Sequence, residues 1–158
     1  MHLIWTRGKD ALMTTKRAFL IAVSLVLMGV MAAAQAAYTP KFKGDPARSD
    51  SEAAALGYMR TFLRAQKIYK KKNSHYAESL MQLTKTGSFT RRMASPDRGD
   101  YTVKFRDHKD KDQFEITMVP KQQDTTHRSF FSDEQGKIRV NEQGEATDDS
   151  PPLRADAE

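Results

Sequence analysis

The chain has 158 residues, 26 Lys and Arg against 20 Asp and Glu, and no cysteine. That length suits one domain with accessory segments, and the missing cysteine excludes disulfides, thiol chemistry and any cysteine-ligated zinc site. The charge is unevenly spread: residues 37–140 hold 21 Lys/Arg against 13 Asp/Glu, and residues 141–158 hold one Arg against six Asp/Glu, a basic body suited to polyanions with an acidic end.

Lys16-Arg17 precede an uncharged apolar run from Ala18 to Ala34, followed by Ala34-Gln35-Ala36. A basic start, an apolar stretch and a small-x-small site together predict a signal peptide cleaved near Ala36/Ala37. The export this implies is to the periplasm or the exterior. The run is also just long enough to serve instead as an inner-membrane anchor over residues 18–34. Residues 1–12 read as an upstream extension, with Met13 the alternative start. Residues 37–48 contain Pro40, Gly44 and Pro46 among charges and read as a linker, because proline removes a backbone donor and disfavours helix before it.

The domain proper is expected over 49–140. It begins with an amphipathic helix from about Ser51 to Lys72. Ala55, Tyr58, Met59, Phe62, Ala65 and Tyr69 recur at three- and four-residue steps, with Leu56, Leu63 and Ile68 at the margins, and make one broad apolar stripe. Ser49 with Glu52 three positions later fits a capping box. Lys70, Lys71 and Lys72 suit the negative end of the helix dipole, and Asn73 is a plausible stop. Ser74 to Lys85 predicts a short helix or helical turn with Ser74 as candidate cap, and Tyr76, Leu80 and Leu83 on one side. Thr86 to Asp100 has loop composition.

From Tyr101 the period changes to two. Tyr101, Val103 and Phe105 alternate with polar residues, and Phe114, Ile116 and Met118 do the same until Pro120. Two strands joined by a polar turn at 107–112 are predicted. Arg128–Phe131 and Lys137–Val140 flank a turn in which Gly136 is free to take positive φ, a second hairpin. Residues 141–158 read as an acidic disordered tail. The fold class is therefore α+β, one long helix covered by an antiparallel sheet of three to five strands that lays its apolar face on the stripe.

The order of these elements, and several phrases within them, resemble the type IV pilin-like fold, in particular the globular domains of type II secretion pseudopilins. The phrases are Ala65-Gln66-Lys67-Ile68-Tyr69, Tyr76-Ala77-Glu78-Ser79-Leu80-Met81-Gln82-Leu83, Gly99-Asp100-Tyr101-Thr102-Val103-Lys104-Phe105 and Phe114-Glu115-Ile116-Thr117-Met118-Val119-Pro120. The most specific is Arg128-Ser129-Phe130-Phe131-Ser132-Asp133-Glu134-Gln135-Gly136-Lys137-Ile138-Arg139. Such pilins begin with a Gly-Phe cleavage site and a Glu inside one continuous apolar helix. Here the apolar run holds no acidic residue and is separated from the helix by Pro40 and Pro46. The resemblance implies an exported pilin-like domain working without a filament stem, whose partner is an envelope or secretion-system protein.

Arg60, Arg64, Lys67 and Lys71 fall at i, i+4, i+7 and i+11 on the predicted helix, a basic line that Arg91 and Arg92 could extend. A solvated helix face accounts for such a line, and so does a grip on a polyanion. Tyr58 and Tyr69 interleave with these cations but at core spacing. Asp107, His108, Asp110 and Asp112 cluster as carboxylates do around calcium, yet lysines stand between them and the Gly and Glu of a calcium loop are missing. They read as a hairpin tip, and no metal or other cofactor is expected. The four His residues lack metal spacing, and Ser, His and Asp occur without a nucleophile elbow. The reading is non-catalytic, with polyanion binding as the alternative and a small envelope hydrolase as the third.

Overall fold

The computed structural model describes residues 38–109 and 112–154. The predicted signal peptide and its predicted cleavage site, together with Asp110, Lys111 and the last four residues, lie outside the described residues. The fold is α+β, one long helix and a five-stranded antiparallel sheet.

Helix α1 (Asp50–Asn73) runs for 24 residues. Ser49 takes an extended backbone, and its Oγ accepts from the Glu52 amide at 3.1 Å. Only half of the expected capping box forms, because the Glu52 carboxylate turns away from Ser49 to partners described below. Ser74, at φ 66°, closes the other end by donating its amide to Lys70 O at 2.8 Å, and Asn73 Nδ2 donates to Tyr69 O. Ser74 thus ends α1 and does not cap a second helix.

Of the short helix or helical turn expected over 74–85, a helical turn forms at the end of the stretch and no longer helix does. The buried amide of Gln66 accepts from Ala77 N at 2.9 Å and donates to Ala77 O at 3.2 Å. Asp112 accepts from Tyr76 N at 2.8 Å. With their backbone groups met by side chains, Tyr76 and Ala77 have no need of a helical turn. Only short 3-10 turns form, at Gln82–Thr86 and Arg91–Ala94, the first burying Leu83.

The sheet is a meander in chain order: β1 (Asp97–Arg98), β2 (Tyr101–His108), β3 (Gln113–Pro120), β4 (Ser129–Asp133) and β5 (Arg139–Asn141). The two predicted hairpins are present, and β1 is an addition from a stretch of loop composition. Register places Val103, Met118, Phe130 and Val140 side by side, and this row joins the core with Met59, Phe62 and Leu56 of α1. Phe62 lies at the centre of an edge-to-face group, 5.5 Å from Phe105, 5.4 Å from Phe114 and 6.4 Å from Phe89 between ring centroids. Gly136 has φ 76°, as the turn requires, and its amide donates to Asp133 O.

Residues 37–48 are more than a linker: Asp45, Pro46 and Ala47 are buried, and Asp45 accepts from the Tyr38 hydroxyl and from the amides of Lys41 and Ala47. Nor is the described part of the acidic tail disordered. The opposite face of the sheet carries the row Lys104, Thr117, Phe131, Arg139, and the tail crosses it. Glu145 pairs with Lys104 at 2.5 Å, Ala146 N donates to Ser129 Oγ, and Arg139 donates to Ser150 O. Pro151–Leu153 then extends the sheet beyond β5, Val140 N donating to Pro151 O and Leu153 N to Ile138 O. Composition made the tail look solvated, but backbone pairing and one apolar ring to cover hold it. Phe131 is 4% exposed, so ending the chain at Asn141 should lower stability by about 2 kcal/mol or more, the range for one large apolar side chain returned to water. Urea denaturation of the shortened chain reads this directly, and an unchanged midpoint would contradict the packing.

Candidate functional site

The α1 periodicity that buries Tyr58, Met59 and Phe62 leaves Arg60, Arg64, Lys67 and Lys71 exposed along one flank. The line spans about 16 Å at 1.5 Å per residue. At its start the Arg60 guanidinium lies 5.9 Å from the centre of the Phe42 ring, a cation–π distance. Further along, Lys67 Nζ is 3.9 Å from where a Cβ on Gly136 would sit, so this flank faces the β4–β5 turn. No ion pair involves these four cations among the described residues.

Arg91 and Arg92 do not extend the line. Arg92 shares a hollow with Ala54, Ala55, Tyr58 and Arg98, on the flank of α1 away from Lys67. The excursion between α1 and β1 crosses the Tyr58 side, where Tyr58 donates to Met93 O at 3.0 Å and packs on Phe89. Tyr58 and Tyr69 are buried, core and not a stacking surface. Lys70 is also committed elsewhere: its ammonium meets Asp112 at 2.8 Å and lies 4.0 Å from the centre of the Tyr76 ring. The hydrogen bond between them holds the Lys70 pKa above, and that of Asp112 below, the usual range.

That contact also explains the acidic knot at the β2–β3 turn. Asp112, at φ 47°, ties the turn to the end of α1, Lys109 pairs with Glu78 at 3.1 Å, and His108 faces Glu115 at 3.0 Å. Asp112, Glu78 and Glu115 are each directed at a cation or an amide, and among the described residues no group of three metal-ligating side chains converges.

Sequence reasoning missed a second polar cluster, because its members are far apart in the chain. His127 Nδ1 contacts Asp124 at 2.9 Å, His127 Nε2 lies 3.8 Å from Asp100, and the Ser51 hydroxyl donates to Asp100. Hydrogen bonds from the hydroxyl and amide of Thr126, and then from His127, lower the Asp124 pKa to about 2. Serine, aspartate and histidine do meet here, but the hydroxyl is directed at a carboxylate and not at the imidazole. A base that activates a nucleophile must itself contact it, so the cluster ties the start of α1 to the turns at 99–101 and 124–127.

A buried ion pair joins Glu52, 0% exposed, and Arg128, 3% exposed. Arg128 Nε donates to Glu52 Oε1 at 2.9 Å and Nη2 to Oε2 at 2.8 Å, a bidentate fork. Glu52 also accepts the amides of Arg48 and Arg128, and Arg128 Nη2 reaches Pro46 O. Three stretches of chain, 46–48, the first turn of α1 and the entry to β4, are locked at one point.

No protein-family model, curated protein or solved structure matches this chain.

Proposed function

We propose that this chain is an exported, non-catalytic interaction domain of pilin-like, pseudopilin-like design that docks against an envelope or secretion-system protein through its sheet edge. The observation that carries this reading is the unequal treatment of the two edges. The β5 edge is taken by Pro151–Leu153. On the other side β1 pairs only with Tyr101 and Thr102, and beyond them no strand joins that side of β2 among the described residues. Val103 N donates outward to Pro96 O, so by alternation the amides of Phe105 and Asp107 face the same way. An extended partner segment adds to such an edge through main-chain hydrogen bonds, while exposed Lys104, Arg106 and Asp107 discourage indiscriminate pairing. The helix-then-meander order and the apolar leader support the pilin-like and exported parts of the reading. A photo-crosslinking amino acid at Asp107 in the native host is expected to trap an envelope or secretion component. No adduct, or adducts with cytoplasmic proteins alone, would contradict the proposal.

A second reading is favoured by a separate observation. Four exposed cations in line, none of them in an ion pair among the described residues, form a polyanion-binding surface, Arg60, Arg64, Lys67 and Lys71, whose signature is retention on heparin that weakens steeply with salt. Arg91 and Arg92 belong to the opposite flank and are left out of it.

A further inference from the structure

We propose that Phe42, with Lys43, Arg60 and Arg64, seats the domain on an anionic membrane surface, the ring entering the headgroup layer and the cations meeting lipid phosphates. This rests on the polyanion reading and names the polyanion. Phe42 is 52% exposed, and the other large exposed apolar side chain among the described residues is Met81 at 53%. Burial does not account for the ring, yet its loop is firmly built. Asp45 N donates to Phe42 O at 3.1 Å, Gly44 turns the chain at φ 75°, and the buried Asp45 carboxylate accepts from Tyr38, Lys41 and Ala47. An aromatic ring held out by a fixed loop, between Lys41 and Lys43 and beside Arg60, has the amphipathic make-up that suits the membrane interface. The nearby acidic groups are Asp45, already satisfied, and Asp50, which is paired with Lys41 at 3.2 Å.

Chain continuity says why a bilayer is the occupant. The uncharged run Ala18–Ala34 ends eight residues before Phe42, a reach of at most about 28 Å for extended chain. A run of this kind placed in a membrane would keep Phe42 within that length of chain from the headgroups. Local concentration then favours contacts that would be weak in free solution, and anionic lipid adds the electrostatic attraction.

The absence of cysteine makes the test direct. Full-length chains carrying Phe42→Cys or Met81→Cys are labelled with an environment-sensitive fluorophore and mixed with phosphatidylcholine vesicles, with or without phosphatidylglycerol. The label at position 42 should brighten several-fold and shift to the blue on the anionic vesicles only. The response should vanish with Arg60→Glu and Arg64→Glu together, while the label at 81 stays in water. Equal responses at 42 and 81, or at 42 on both kinds of vesicle, overturn the proposal. Retention on heparin at low salt without a response at 42 overturns it too, and leaves the broader polyanion reading standing. Loss of both heparin retention and the vesicle response removes the two together.

Discussion

Glu52→Ala is expected to destabilise the domain by about 3–5 kcal/mol, because it leaves the Arg128 guanidinium buried without its counter-charge. The change also strands the amides of Arg48 and Arg128, each of which donates to a Glu52 oxygen. Arg128→Ala should be of similar size, since it leaves the carboxylate enclosed. The pair is not on that account a large net source of stability, since removing two charges from water offsets most of their attraction. A double-mutant cycle separates the two statements. Glu52→Leu with Arg128→Met should cost much less than the sum of the single changes. Additive losses would mean that the two side chains do not share one site. What the pair does provide is register. It fixes the start of α1 against the entry to β4, 76 positions away, and draws Pro46 into the same knot. Stretches 46–48 and 128–129 should therefore loosen together in the single variants.

Much of the fold was legible because its main elements repeat a period. Every residue placed in the centre of the helix stripe, from Ala55 to Tyr69, is buried, since spacing of three and four can bring only one face of a helix to a core. The alternation of Phe114, Ile116 and Met118 with Glu115, Thr117 and Val119 gave the strand and its face for the same reason. The connections that lock these elements together have no period. Glu52 and Gln66 are polar residues with distant partners, one buried against Arg128 and the other against the backbone of Ala77. The tail packs through main-chain amides and over the sheet face that carries the buried Phe131 ring, neither of which is visible in its acidic composition. Its signals were Ala146 and Leu153, small and apolar residues in a polar stretch. The basic line was legible as a line, and its exposure follows from the helix phase. Arg91 and Arg92 were misplaced beside it because the path of the excursion from Ser74 to Pro96 is set by Phe89 and Leu83 entering the core, and no local pattern gives that direction.

Helix α1 is held by the strands that follow it, and Phe62 is where they meet. Its ring is fully buried and packs on Phe89, Phe105 and Phe114, so each of the excursion, β2 and β3 contributes a ring to one contact. Truncation removes the transfer energy of the ring and leaves a cavity that three aromatic neighbours cannot readily fill. Phe62→Ala should therefore cost about 3–5 kcal/mol, while Arg64→Ala, one half-turn away on the exposed flank, should change stability by less than about 0.5 kcal/mol. Thermal unfolding of these two variants beside the parent chain is the most direct measurement. A melting temperature lowered by roughly 10–20 °C for Phe62→Ala alone is the predicted result, and equal melting temperatures for all three proteins would contradict the packing of the helix on its sheet.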